Sequence, residues 1–320
     1  MVLALQAIHW LDAPMRWITD LGSMKVSMVL IAVVYWCVHP RQGLRVGLLL
    51  LAGSALCWTL KLGYAGPRPF WYSSLVEVKS VEFSFGLPSG HAMNSVIIWG
   101  FLAMMAGRWW AWGLAVGLMF LVGLSRIYLG VHFPSDVLLG WLLGAVMLWL
   151  AHRWAGSIEP WALRLSLPHK WLLAWGTALL LLLPSLILAG PIRAELPLDW
   201  VTTALKSAPG RMMDPFSLKS SVDAAGGCLG LMLGGFWLAA GPGWRLLTGA
   251  RQQFLGCALG FAGAGLLVLA GKLLIPLDDS AFNLALRFAR YALVGVWLTA
   301  LAPFCFQRLG LTPSSPSARP

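Results

Sequence analysis

The sequence predicts an all-α, polytopic helical membrane protein. Apolar residues make up 59% of the 320 residues and charged residues only 11%, a balance far from that of a soluble domain. Apolar runs of about 15–19 residues recur along the chain, close to the length that a helix needs to cross a bilayer. Many of the 19 tryptophans lie near the ends of these runs, as in aromatic belts. These features favour a bundle of membrane-spanning helices.

The apolar runs place the elements in order. Residues 2–20 mix apolar and polar side chains and contain Pro14, which predicts a short interfacial helix and a turn rather than a span. Residues 190–223 are polar and contain four prolines, which predicts a loop because proline interrupts helices. The Ser- and Pro-rich residues 311–320 are predicted to be a disordered tail. About nine spans are expected, at 24–38, 46–60, 92–106, 109–124, 137–151, 171–189, 224–240, 254–271 and 291–306.

The polar segment 125–136 lies between two apolar runs, so its charged and titratable residues are predicted at a membrane boundary. Such groups are costly there and usually mark a functional site or a snorkelling anchor. Pro134 favours the first position of a helix, which places Asp136 in the first turn and His132 just before it. The carboxylate can then hold one imidazole nitrogen and leave the other as nucleophile or base. The alternative is a loop whose polar residues only cap two helices.

Basic residues close another apolar run, at Lys61 and at Arg68, which is followed by Pro69. Phosphoryl transfer needs positive charge and N–H donors around the phosphoryl oxygens, an in-line nucleophile and a proton for the leaving group. The guanidinium groups of Arg68 and Arg126 can each donate two hydrogen bonds to phosphate, and Lys61 adds a point charge. Taken singly, Lys61 and Arg68 are more often snorkelling anchors than ligands.

A third polar stretch, residues 88–91, opens the apolar run 92–106 and is predicted to begin a helix. The N–H groups of a first helical turn and the Ser89 hydroxyl can surround an anion, and Gly90 lets the backbone approach closely. His91 lies at the mouth of this helix, where it can donate a proton to a leaving group. Taken alone, Ser89 is most often just an N-cap.

The three stretches read Lys61-x6-Arg68-Pro69, Pro88-Ser89-Gly90-His91 and Ser125-Arg126-x5-His132-x3-Asp136. Together they resemble the three-part signature of the phosphatidic acid phosphatase type 2 superfamily, which includes lipid phosphatases and vanadium haloperoxidases. The resemblance covers about the first 153 residues. It implies a helical catalytic core in which a histidine is phosphorylated and water then hydrolyses the phosphohistidine, with no metal needed.

The resemblance also implies a role for the individual residues. His132, held by Asp136, is expected to be the nucleophile, and His91 the general acid. The expected phosphate ligands are Lys61, Arg68, Ser89, Gly90 and Arg126. The motif segments themselves contain no carboxylate cluster suited to Mg²⁺ or to a pair of metal ions, so we expect neither a metal nor another cofactor.

The motifs divide the chain into a predicted catalytic core, residues 1–153, and a C-terminal membrane extension, residues 224–310. The span 171–189 is a candidate to complete the core, because the resemblance implies six spans there. Two helix faces of the extension carry small residues at four-residue spacing, which lets helices approach closely. We predict that these spans pack on each other, with a homodimer interface as the alternative; the residues are Gly226, Gly230, Gly234, Gly256, Gly260 and Ala264.

The charge distribution predicts the orientation. Loops on the side without motifs contain many basic residues and one acid, Glu159. Short loops of this kind favour the cytoplasm, which places the motifs and the 190–223 loop on the extracytoplasmic side. The net charge of +11 is spread over many loops, which favours anionic lipid headgroups over nucleic acid as a partner. The five cysteines lie in or beside apolar runs and lack disulfide or metal-site spacing.

The expected function is that of a lipid phosphatase in the inner membrane of a bacterial-type cell. Undecaprenyl diphosphate is the favoured substrate, followed by phosphatidic acid or phosphatidylglycerophosphate. A haloperoxidase would use the same residues, but the membrane architecture argues against it. Two further alternatives remain: a phosphotransferase that passes the phosphoryl group to another lipid, and a lipid transporter or binding protein with an auxiliary phosphatase site.

Overall fold

The computed structural model of the protein describes residues 1–80, 82–189, 196–209, 213–240, 246–276 and 278–313. These residues form helices and connections without a β-strand, which confirms the all-α prediction. The predicted tail lies outside the described residues except for 311–313, as do parts of the predicted 190–223 loop. The helices are α1 (Val2–Gln6), α2 (Asp12–Asp20), α3 (Met24–Val33), α4 (Pro40–Tyr64), α5 (Pro69–Tyr72), α6 (Gly90–Ala106), α7 (Trp109–Tyr128), α8 (Pro134–Arg164), α9 (Leu167–Ala189), α10 (Leu198–Ser207), α11 (Lys219–Ala240), α12 (Ala250–Leu274), α13 (Ala281–Val296) and α14 (Ala302–Arg308).

Seven helices in the described part of the chain are long and apolar enough to cross a membrane. The pair His9–Asp20 and Met24–Val38, bent by 47°, makes an eighth if it is counted as one span. Helix α6 is apolar but has only 17 residues. All nine predicted runs lie in helices, which confirms a multi-pass membrane protein, whereas the count of nine spans is not confirmed.

The N-terminal segment differs from the single short helix that was predicted. It forms α1 and α2, joined through a 3₁₀ turn at His9–Leu11. Pro14 does not interrupt α2, because it lies in the first turn, where its missing N–H removes no intrahelical hydrogen bond.

The chain folds into two compact units. Unit 1 contains Met1–Ser27, Gly53–Arg153 and Leu183–Ser220, and unit 2 contains the remaining residues. All three motifs belong to unit 1. Five helices in the described part of the chain contribute residues to both units: α3, α4, α8, α9 and α11.

Within unit 1, α8 approaches α6 closely at two glycines. A Cβ added to Gly140 would lie 2.6 Å from the carbonyl oxygen of Ser89, and one on Gly144 would lie 2.8 Å from that of Met93. Such distances are shorter than side chains tolerate, so these positions require glycine. The close approach brings the start of α8, with its motif aspartate, beside the start of α6.

The N-terminal helices hold the motif loops in place. The buried Gln6 side chain donates to the carbonyl oxygens of Glu77 (2.8 Å) and Tyr128 (3.0 Å), and accepts from the Glu77 N–H (3.1 Å). Lys79 pairs with Asp12 at 2.8 Å. These bonds tie the end of α7 and the segment before α6 to the first turns of the chain.

A cluster of aromatic side chains supports the same loops. Trp71 and Phe85 are fully buried, with ring centroids 5.9 Å apart. Trp200 of α10 lies 6.3 Å from Trp71, and Phe216 lies 5.3 Å from Phe85, both measured between ring centroids. Residues that follow α9 therefore pack against the segments that carry the motifs.

In unit 2, the glycine faces pack differently from the prediction. A Cβ on Gly226 or Gly230 would lie 2.4 Å or 2.0 Å from a carbonyl oxygen of α13, so this face of α11 packs on α13 rather than on α12. Gly260 of α12 lies against the ring of Trp36. The prediction that the two small-residue faces pack on each other is wrong, because α13 and Trp36 take these places. All three glycines are buried.

Candidate active site

The structure brings the predicted site residues of the three motifs together in unit 1. Lys61 lies in the last turns of α4, Arg68 directly precedes α5, and Arg126 lies in the last turn of α7. Ser89 is the N-cap of α6, followed by Gly90 and His91 in its first turn. His132 lies between α7 and α8, and Asp136 is in the first turn of α8. Six of these side chains are buried, whereas Gly90 and His91 are partly exposed.

His132 and Asp136 form the pair that the sequence predicts. Nδ1 of His132 lies 3.2 Å from Oδ2 of Asp136, which also accepts a hydrogen bond of 2.9 Å from the Phe133 N–H. This partner assigns the Nδ1–H tautomer and leaves a lone pair on Nε2. Nε2 lies 3.4 Å from Nη1 of Arg68. Nε2 therefore faces the cationic part of the site.

The charge state of His132 suits a nucleophile. Burial, together with the positive charges of Arg68 and Lys61, holds the pKa of His132 well below its usual value. The imidazole is therefore neutral at pH 7. Arg126 and His91 are also close enough for their charges to act on His132, which places the two motif histidines in one electrostatic environment.

Arg68 and Lys61 are held by the segment before α6 and by the backbone at Val131. Arg68 donates from Nε to the Ser84 carbonyl oxygen (2.5 Å), from Nη2 to the Ser84 hydroxyl (2.9 Å) and from Nη1 to the Val131 carbonyl oxygen (2.8 Å). Lys61 donates to the carbonyl oxygens of Phe85 (2.5 Å) and Gly86 (3.0 Å). These bonds fix both cations in place before any substrate binds.

Ser89 links two motifs. Its N–H donates to the Asp136 carbonyl oxygen (2.9 Å), and its side chain accepts from the Ala92 N–H at 3.5 Å, as an N-cap does. The N-terminus of α6 is thereby attached to the start of α8. The first-turn N–H groups of α6 and the positive end of its helix dipole favour an anion at this place.

The structure adds one residue that the sequence analysis missed. Glu82 accepts a hydrogen bond from Nη2 of Arg126, and its other carboxylate oxygen lies 3.8 Å from Nη2 of Arg68. Arg126 also donates from Nη1 to the Thr19 hydroxyl at 2.8 Å. Nothing in the sequence pattern marks Glu82, because it lies six residues before Pro88 in an irregular segment and outside every motif. Within the described residues, no group of three His, Cys, Asp or Glu side chains is arranged to hold a metal ion.

The part of the chain that contains the three motifs matches a known protein family. A family model described as "PAP2 superfamily" matches residues 42–159, which include the three motifs. Phosphatidylglycerophosphatase B of Bacillus subtilis (strain 168) is 31% identical over 163 residues, and the match covers 47% of this chain and 78% of that protein. The chain belongs to the PAP2 superfamily. A second model, "PAP2 superfamily phosphatase, transmembrane extension", matches residues 222–315 of this PAP2 protein.

Other relatives carry different substrate names. Undecaprenyl-diphosphatase BcrC of Bacillus subtilis (strain 168) is 27% identical over 155 residues, 47% of this chain and 78% of that protein. Glucose-6-phosphatase 3 of Homo sapiens is 30% identical over 167 residues, and the match spans 45% of this chain and about half, 48%, of the human protein. All of these relatives are named as phosphatases. With its family and its apolar helices, the present PAP2 protein is a multi-pass membrane phosphatase.

Proposed function

We propose that the protein removes a phosphate group from a lipid phosphate or diphosphate through a phosphohistidine on His132. The observation that carries this proposal is the placement of His132. Asp136 holds its Nδ1, and its Nε2 faces Arg68 within a group of three buried basic side chains. A neutral imidazole beside fixed positive charge can attack a phosphorus atom whose oxygens those charges bind.

The proposed reaction has two steps. Nε2 of His132 forms a bond to phosphorus while the bond to the leaving oxygen breaks, and His91 donates a proton to that oxygen. Water then attacks the phosphohistidine, gives a proton back to His91, and releases orthophosphate and free His132. In both steps the phosphoryl oxygens are proposed to be bound by Lys61, Arg68, Arg126, the Ser89 hydroxyl and the Gly90 N–H.

Two observations support a lipid as the substrate. Lys61, Arg126 and Asp136 lie near the ends of helices long enough to cross a membrane, so the phosphate would be bound where headgroups lie. Two relatives are named for phosphatidylglycerophosphate and undecaprenyl diphosphate. We favour undecaprenyl diphosphate, then phosphatidylglycerophosphate or phosphatidic acid. The name of the human relative specifies glucose 6-phosphate, so this water-soluble ester serves as the comparison substrate.

The test is phosphate release from these four compounds by the purified protein in detergent. We expect release from at least one lipid at a kcat/KM far above that for glucose 6-phosphate. His132→Ala should abolish release, whereas the control His152→Ala, an exposed histidine on α8, should not. Rapid acid quench with ³²P-labelled substrate should trap label on His132. Activity of the His132 variant near the wild-type value would refute the mechanism, and preference for glucose 6-phosphate would refute the substrate class.

We also propose an extracytoplasmic active site in the bacterial inner membrane, because the loops on the opposite side are poor in acids. A cysteine introduced at Ser73, in a background without other cysteines, should react with an impermeant thiol reagent in intact spheroplasts. A cysteine at Gly107 should react only after the membrane is opened. The reverse labelling pattern would place the site in the cytoplasm.

We propose that the span 171–189 completes the catalytic core of residues 1–153 and that residues 224–310 form a separate membrane extension, and this division has a test. The core needs the end of α9, because the Ser185 hydroxyl lies 3.0 Å from that of Thr59 in α4, and it needs Trp200 against Trp71. A chain that ends at Arg153 should therefore be inactive, whereas a chain that ends at Ser220, the last residue of unit 1, should keep activity. An active, monodisperse 1–153 chain would contradict this assignment.

A further inference from the structure

A carboxylate lies between two of the proposed phosphate ligands. Oε1 of Glu82 accepts a hydrogen bond from Nη2 of Arg126, and Oε2 lies 3.8 Å from Nη2 of Arg68. The side chains of both arginines are 1% exposed, whereas that of Glu82 is 26% exposed. The acid therefore reaches from the edge of the site towards two buried guanidinium groups.

The arrangement of donors suits a larger anion than the carboxylate that is present. Nε of Arg126 is buried and finds no hydrogen-bond partner among the residues that the structure describes, which is costly for a charged donor. Guanidinium groups bind carboxylate and phosphate oxygens in the same fork geometry. A tetrahedral phosphate has more acceptor oxygens than a carboxylate and can satisfy donors that Glu82 leaves unpaired.

Glu82 is ionised in this position. Partial burial raises its pKa, but the positive charges of Arg126 and Arg68 outweigh that effect and bring the pKa of Glu82 down to about 2. The site therefore contains a full negative charge, which repels a phosphate anion and uses a donor that phosphate needs. Without an anion, however, Arg68 and Arg126 would be buried charges with little compensation. Glu82 supplies that compensation while the site is empty.

We propose that Glu82 occupies the phosphate subsite in the empty enzyme and that the phosphate group of the substrate displaces it. Glu82 thereby sets the affinity for the substrate and for the orthophosphate product, and its return promotes product release. This inference rests on the proposed function of the same site. The residue lies in the irregular segment between α5 and α6, so its side chain can leave without unwinding a helix.

The inference can be tested by calorimetric titration of the purified full-length protein with inorganic orthophosphate. Glu82→Gln removes the competing charge and keeps the side-chain size. We expect this variant to bind orthophosphate at least about tenfold more tightly, since a ligand that no longer competes with a resident group recovers its intrinsic affinity. Glu77→Gln is the matched control, because Glu77 lies in the same segment, is 61% exposed and pairs with Lys79. Its orthophosphate affinity should equal that of the wild type.

Kinetics provide a second readout on whichever lipid the wild type hydrolyses. In Glu82→Gln the KM should fall by a similar factor, and kcat should not rise, because product release slows. If Glu82→Gln is unstable when purified, orthophosphate should raise its melting temperature more than that of the wild type. Unchanged or weaker orthophosphate binding would overturn the inference, as would a loss of kcat at unchanged KM. The binding comparison stays valid if no lipid is hydrolysed, so failure of the proposed function is a separate result.

Discussion

The role of Asp136 can be tested by the conservative substitution Asp136→Asn, whose outcome depends on one backbone hydrogen bond. Oδ2 of Asp136 accepts from both the Phe133 N–H and His132 Nδ1. In the variant, the amide oxygen should take the Oδ2 position, because the opposite orientation would direct an NH₂ group at the Phe133 N–H. The oxygen can then keep both hydrogen bonds, so the tautomer of His132 should survive and only the charge should be lost.

The expected magnitude follows from this geometry. A hydrogen bond to a charged group contributes about 1.5–3 kcal/mol and a neutral one about 0.5–1.5 kcal/mol. The difference of about 1–1.5 kcal/mol corresponds to about 5–15-fold in rate. Positive charge that develops on the imidazole during attack on phosphorus also loses its counter-charge. We therefore expect kcat to fall by about 10–100-fold. KM should change less than about twofold, because Asp136 is not a proposed phosphate ligand.

Asp136→Ala provides the contrast. It removes both hydrogen bonds, leaves the Phe133 N–H without this acceptor and frees the imidazole to rotate, so kcat should fall by about a thousandfold or more. The assay is steady-state phosphate release on the preferred lipid, with Asp214→Asn, a half-exposed acid paired with Lys219, as the control. Equal loss in the Asn and Ala variants would show that the amide does not hold the imidazole. Wild-type activity of the Asn variant would show that the charge contributes nothing.

Three further predictions follow from the same site. His91→Ala should lower kcat by about 10²–10⁴-fold on a lipid substrate, as expected for loss of a general acid, and a leaving group of low pKa should restore much of the rate. Orthovanadate should inhibit competitively, because it forms a pentacoordinate mimic of the transition state, whereas EDTA should not change activity; loss on chelation that Mg²⁺ restores would contradict this. The low pKa of His132 means that the unfolded state binds a proton below about pH 6.5 that the folded state does not. Stability should therefore fall from pH 6.5 to pH 5 by up to about 1.4 kcal/mol per pH unit, and His132→Asn, compared in thermal melts, should lose that part of the slope.

The sequence predicts the helices well because a membrane imposes one simple rule. Every apolar run must satisfy its backbone within a helix, so the nine runs all lie in helices. Their limits are less predictable: α8 extends to Arg164, thirteen residues past the predicted end at 151, and includes Pro160. Polar flanks can continue a helix without changing hydropathy, so the pattern does not mark where the helix stops. The packing of Gly226 and Gly230 on α13 was missed because a small-residue face does not identify its partner.

In the site, too, the motifs predict some contacts, whereas others depend on how the chain folds. The spacing of His132 and Asp136 predicts their contact, because four residues at a helix start place two side chains side by side. The contacts of Arg68 and Lys61 with the carbonyl oxygens of residues 84–86 depend on the path of an irregular segment, which has no periodicity to interpret. These bonds fix the cations, yet any residue type could supply the carbonyl groups.

Glu82 illustrates the remaining difficulty, because its significance comes from electrostatic balance rather than from a motif. A site that binds a phosphate anion must gather positive charge, and three buried cations close together are costly when the anion is absent. In the empty enzyme some group has to compensate these charges, and that group must bind the cations more weakly than the substrate does. A carboxylate at the edge of the site meets both conditions: it carries less charge than a phosphate and reaches only one guanidinium group within hydrogen-bond distance. The positive charge that would bind the substrate therefore also explains the presence of Glu82, although a carboxylate is not itself a phosphate ligand.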